Sequence, residues 1–298
     1  MSPDIQTLIS YSEHQDLLTA LAHGQTQQAL ALIEARLPAA ALTGLGRLWS
    51  RVKPGKTPVA PLFLRVLREG LVGNAIPELA LPLQAEYTAD VAELGRAIRV
   101  LEYSNAAPSV LAPLAAALRD WLKAGAAHIQ RNAGDYPRNG INGKIWMDGA
   151  VLQAWAGELG RYYARQHDAA NEHRAWHACG QLTMAIMAHY HHMVGPVMIS
   201  MGQVLEKLNR PAEAAAHYRA VVADFTVLLD DLEEVTQAAG AAAPDEFATD
   251  YLALTSLRDA YAGLQRTEAG DEASLRALRS RLDQALAHWP QETGGFQA

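Results

Sequence analysis

The stretch VMISMGQVLEKLNRPAEAAAHYRAVVADFTVLLDDLEE, Val197 to Glu234, specifies a packing unit as well as a secondary structure. Gly202 stands where two helices can approach closely and Leu205 continues its face. Asn209-Arg210-Pro211 then interrupts the chain, and Ala214, Tyr218 and Val222 recur at i, i+4, i+8 on the return segment. Pro211 suits the first turn of a second helix, where its missing N–H has no intrahelical partner to lose. The spacing predicts a helical hairpin.

The same periodicity extends in both directions. Upstream, helices are expected over Val151 to Arg165 and Asp168 to Val194, with Gly195-Pro196 re-starting the chain before the hairpin. Downstream, Leu252, Leu254, Leu257, Ala260, Tyr261 and Leu264 recur at helical spacing, and after Gly270 so do Leu275, Leu278, Leu282, Leu286 and Trp289. Nearer the N-terminus, Leu17, Leu18 and Leu21 form a stripe that stops at His23-Gly24-Gln25 and resumes at Ala29, Leu30, Ile33 and Leu37. Leu111, Leu114, Leu118, Trp121 and Leu122 make a further buried face. The expected fold class is all-α, in three regions: an N-terminal helical region (1–131), an irregular linker (132–149) and a helical array (150–298) closed by the last pair.

The hairpin resembles one tetratricopeptide (TPR) repeat, in which Met201, Gly202, Leu205, Ala214 and Tyr218 occupy the family's large, small, large, small and aromatic positions. It departs from the family at Val221, where a small alanine is usual, and at Thr226, where a helix-ending proline is usual. The second helix is therefore expected to overrun the normal repeat length. The resemblance implies antiparallel hairpins stacked as an α-solenoid, with the C-terminal pair as a cap, and a groove that holds a peptide or protein partner.

Composition narrows the function classes. Half of the 298 residues are hydrophobic, enough for a sizeable core. A net charge of −7 and a pI near 5.9 argue against a nucleic-acid binder, which needs a basic surface. The one cysteine, Cys179, excludes an internal disulfide and any Cys-rich zinc motif, and points to a reducing compartment. No stretch reads as a signal peptide or a membrane span, so a cytoplasmic chain without membrane contact is expected. The basic concentration Arg47, Arg51, Lys53, Lys56, Arg65 and Arg68 is interleaved with core-type residues and reads as a solvated loop between helices. Gly55-Lys56-Thr57 is not a phosphate loop, because Ser50 stands where that motif requires glycine. The run Asp224, Asp230, Asp231, Glu233 and Glu234 reads as a solvated acidic face.

Two segments carry candidate chemistry. Six of the 11 histidines fall between His167 and His192, interleaved with aromatics. His173 and His177 lie one helical turn apart, a spacing that can hold a metal between two imidazoles, with Glu172 or Asp168 as the nearest carboxylates. His189 and His192 form a second such pair. Residues 132–149 carry Asn139-Gly140, Asn142-Gly143 and Asp148-Gly149, which are turn signals. Trp146-Met147-Asp148-Gly149 also resembles a short motif of unsaturated glucuronyl hydrolases, which implies an acid/base role for Asp148. No nucleophile elbow, dinucleotide fingerprint or complete metal motif is present, so no cofactor is expected. Two classes follow. The first is a non-catalytic scaffold that binds a peptide or protein through Trp146, Tyr163, His173, Trp176, His177, Tyr190 and His191. The second is an enzyme using the His173/His177 pair or Asp148.

Overall fold

The computed structural model describes residues 14–37, 62–74, 79, 87–133, 143–186, 191–239, 248–267 and 272–287. Among the described residues there are eleven helices and no strand. They are α1 (Gln15–Ala22), α2 (Thr26–Arg36), α3 (Leu62–Val72), α4 (Tyr87–Tyr103), α5 (Pro108–Ala133), α6 (Gly143–Arg165), α7 (Ala169–Ile186), α8 (His191–Lys207), α9 (Pro211–Ala239), α10 (Ala248–Thr267) and α11 (Glu272–Ala287). None of them is long and apolar enough to cross a membrane.

Five of the described helices stop by the same device. A residue at positive φ follows the helix, its N–H bonds three residues back, and the next N–H reaches five residues back. The residues are Gly24, Gly73, Asn105, His167 and Asn209. After α8, for example, Asn209 N–H donates to Glu206 and Arg210 N–H to Leu205, at 3.0 and 2.9 Å. Glycine or asparagine at such a site is expected from sequence; His167 is not, and its role here is to end α6.

The chain divides into two compact units, Met1–Gly125 and Ala126–Ala298, so the boundary falls inside α5 and not in the linker expected at 132–149. In the first unit α1 pairs with α2, α2 with α3, and α3 with α4. Arg36 closes the first pair on Asp16 at 2.5 Å, and Glu93 of α4 accepts the Phe63 N–H at the start of α3 at 3.1 Å. Leu111, Leu114, Leu118, Trp121 and Leu122 are all buried, as their spacing requires. Of the basic concentration, Arg65 and Arg68 lie on α3, where Arg68 pairs with Glu69 at 2.6 Å. Arg47, Arg51, Lys53 and Lys56 lie outside the described residues.

In the second unit each helix from α6 to α11 packs on the next, and α8 also packs on α10. The hairpin of α8 and α9 is centred on Tyr218, which is fully buried. Its ring lies between Gly202 of α8 and Gly263 of α10. A Cβ at Gly202 would sit 2.6 Å from Tyr218 Cζ, and one at Gly263 would sit 2.5 Å from the same atom. The Tyr218 hydroxyl donates to Glu206, whose carboxylate also takes Arg266 of α10 at 2.8 and 2.9 Å. The helix α9 runs on for 29 residues. Beyond the hairpin it adds Phe225 and Leu229 to a core shared with Leu254, Leu257 and Leu282. Its acidic run is partly neutralised, since Asp230 accepts from Arg281 of α11 at 2.5 Å.

Two boundary expectations are corrected. Residues 143–149 are not part of an irregular linker but the opening of α6, and Gly149 is a packing glycine: a Cβ there would overlap Ile186 of α7. The first part of the expected linker, 134–142, lies outside the described residues. Nor does one helix run from 168 to 194: α7 ends at Ile186, and α8 starts at His191 and carries Pro196 inside it. Pro196 is the sixth residue of α8, past the four N–H groups that have no intrahelical partner, so α8 gives up one backbone bond there. Gly195 beside it lets Phe225 and Ser256 approach, because a Cβ would lie 2.5 Å from Phe225 Cε2.

Alanine normally stabilises a helix interior over glycine by about 1 kcal/mol. Gly202→Ala and Gly263→Ala should instead each destabilise the chain by about 1–3 kcal/mol through overpacking against Tyr218. Urea unfolding measures this, and a neutral or stabilising effect would remove the ring from its assigned position. In the same assay His167→Gly should stabilise by roughly 1 kcal/mol, because glycine adopts the left-handed conformation without a Cβ penalty.

Candidate functional site

A cavity of about 260 Å³ opens on the α7/α8 face of the second unit. Its apolar lining is Met184 of α7 with Val194, Val197, Met198 and Met201 of α8, while His177 and Gln181 add polar edges from α7. The two faces of α8 explain the arrangement. Val197 and Met201 lie one turn apart toward α7, where a Cβ at Gly180 would be 3.3 Å from Met201 Sδ. Gly195 and Gly202, seven residues apart on the opposite side, face Phe225 and Tyr218. Met184 is 59% exposed, so the apolar wall reaches solvent. Unbranched, polarisable thioethers let such a wall adapt to ligands of different shape.

Three imidazoles lie near one another here, and one of them, His177, lines the groove. His177 is exposed and His173 half-buried, with ring centroids 6.4 Å apart. His217 of α9 is half-buried and its charge acts on that of His173. Burial holds His173 below the usual histidine range, with Arg210, His177 and His217 adding repulsion and Glu213 opposing them. Burial also lowers His217, against the pull of Glu213. Arg210 and Glu213 are locked to each other by two hydrogen bonds of 2.6 Å.

The carboxylates nearest in sequence are already committed. Glu172 is 4% exposed and accepts both its hydrogen bonds from Lys207 of α8, at 2.7 and 2.8 Å. Asp168 caps α7 by accepting the Asn171 N–H at 3.1 Å. Among the described residues no group of three or more His, Cys, Asp or Glu side chains stands close enough to hold a metal ion. Cys179 is buried, and desolvation pushes its thiol up to about 12, so it is a packing residue and not a nucleophile.

The structure divides the binding residues expected from sequence. His173 and His177 stand one turn apart on α7, and of the two His177 lines the cavity. Tyr163 and Trp176 are 6% and 8% exposed and belong to the core, Tyr163 edge-on to Tyr162 and Trp176 against Gly160, where a Cβ would meet its indole nitrogen at 2.8 Å. Both are ruled out as surface by burial. Trp146 lies on the first turns of α6 and His191 opens α8; Tyr190 lies outside the described residues, as does His189 of the expected second pair. Asp148 is half-buried on α6. Sequence reasoning missed His217 and the methionines. A signal for the latter was present, since five of the seven methionines fall between Met184 and Met201.

No family model matches this chain, and neither the curated proteins nor the solved structures searched contain a match.

Two measurements check the chemistry of this face. His173 and His217 have folded-state pKa values below the unfolded value near 6.5, so the unfolded chain binds protons first as pH falls. Stability should therefore drop as pH falls from about 6.5 toward the lower folded values, and His217→Gln should flatten that part of the profile. Loss of the Glu206 contribution belongs to a lower window: its carboxyl is held below 4.5, mainly by Arg266, and protonates there. Separately, a thiol reagent should leave Cys179 unmodified in the native chain and titrate one thiol after denaturation.

Proposed function

We propose that this chain is a non-catalytic protein–protein interaction scaffold or adaptor, a TPR-like array of helical hairpins that seats a peptide or protein segment in the α7/α8 groove. The observation that carries the reading is the methionine-lined cavity, whose wall includes the 59% exposed Met184 and is edged by His177. A solvent-reaching apolar wall beside polar groups suits an apolar side chain flanked by hydrogen-bonding backbone. The stacking reading is supported by the succession of contacts from α6 to α11 and by the packing of α8 on both α9 and α10. Gly202 and Tyr218 meet across the hairpin, which supports the hairpin part of this reading. Recognition by a preformed groove needs no reacting group, and a net charge of −7 favours a protein over a nucleic acid as the occupant.

A photo-crosslinking side chain in place of Met184 tests this in cells of the source organism. One dominant adduct is expected there, and none from the same substitution at Val227, which is equally exposed on α9 but lies outside the groove. Met184→Glu should weaken binding of the captured partner by about tenfold or more, the cost of burying a charge at an apolar contact. Equal crosslinking at both positions, or none at Met184, would sink the proposal.

A further inference from the structure

We propose that His173 and His177 chelate one borderline divalent transition-metal ion, of the copper, nickel or zinc class, at the lip of the groove on α7. The geometry carries this. The two rings project from successive turns of one helix, their centroids 6.4 Å apart and their planes tilted by 39°. Two imidazole nitrogens sharing a metal at about 2.0–2.1 Å each, at cis or tetrahedral angles, place their ring centroids roughly 4.5–5 Å apart, a distance that side-chain rotation of the exposed His177 toward His173 can reach.

The helix is a rigid platform, because α7 is packed by α6 on one side and α8 on the other. Asp168 at its start is spent on the cap, and Glu172 is bound by Lys207. Neither can compete for the imidazoles or swing in as a ligand without breaking those bonds. The ion therefore has two protein nitrogens, and water fills its remaining positions.

Local charge permits it. The groups facing the pair from α9 and the turn before it are His217, Arg210 and Glu213, and the last two neutralise each other. It is the neutral imidazole that ligates metals. Imidazole ligands favour copper, nickel and zinc over magnesium or calcium.

The site is tested on the purified full chain, with Cu²⁺ alone as the probe and no partner present, so its outcome is separate from that of the scaffold reading. Calorimetric titration should give one ion per chain at micromolar affinity, and the paramagnetic resonance spectrum should show coupling to two nitrogens. His173→Ala and His177→Ala should each weaken binding by about tenfold or more and reduce the pattern to one nitrogen. Lowering the pH through the imidazole range should release the ion. Both residues are partly exposed, so circular dichroism should confirm unchanged helicity in the variants. Absence of a stoichiometric site would overturn the proposal. So would a site that survives in the double variant, which would assign the ion to the other histidines.

Discussion

The second unit depends on one aromatic ring held between two glycines. With Gly202 on one side and Gly263 on the other, the separation of α8 and α10 is set by the thickness of the Tyr218 ring, and α9 is fixed by carrying it. Burying a tyrosine this deeply obliges its hydroxyl to find a partner. Glu206, one turn beyond Gly202 on α8, supplies the acceptor, and Arg266 of α10 balances the charge drawn inward with it. Desolvation and the neighbouring carboxylate both resist ionisation of the phenol, while Arg266 and the tyrosine hydroxyl hold Glu206 ionised. One residue thus joins three helices by shape and by charge.

That constraint reaches the groove through α8. A helix clamped along its Gly195/Gly202 face has no freedom to rotate, so Val197 and Met201 must face α7. The pairing of Glu172 with Lys207 ties the far end of α8 to the start of α7. The methionines are adaptable, but the backbone that presents them is not. A pliable lining on a stiff frame can accept varied apolar segments without the ordering cost that a mobile groove would incur.

Charge is arranged to leave this face neutral on a chain that is acidic overall. Arg210 pairs with Glu213, Lys207 with Glu172, and the histidines beside them are held toward the uncharged form by burial and mutual repulsion.

Helix identity was legible in the chain because it follows from local rules. Apolar spacing placed Leu17, Leu111 and Leu118 inside, and Asn209-Arg210-Pro211 announced a stop. The His173/His177 pair was legible for the same reason, since both rings belong to one helix. What only the tertiary structure decided was everything that depends on a neighbour. Gly149 and Gly195 look like turn residues in sequence and are contact residues in space, because a missing Cβ serves both purposes and the facing Ile186 or Phe225 is remote in the chain. Tyr163 and Trp176 look like surface for binding and are core, because an aromatic ring suits either until the helix opposite is known. His217 came near the other histidines only when α9 packed on α8, and the methionines became a wall only when Met184 and Met201 were brought to the same cavity. Periodicity fixes which residues share a face of a helix; what that face meets is set by long-range packing, which spacing within one helix does not encode.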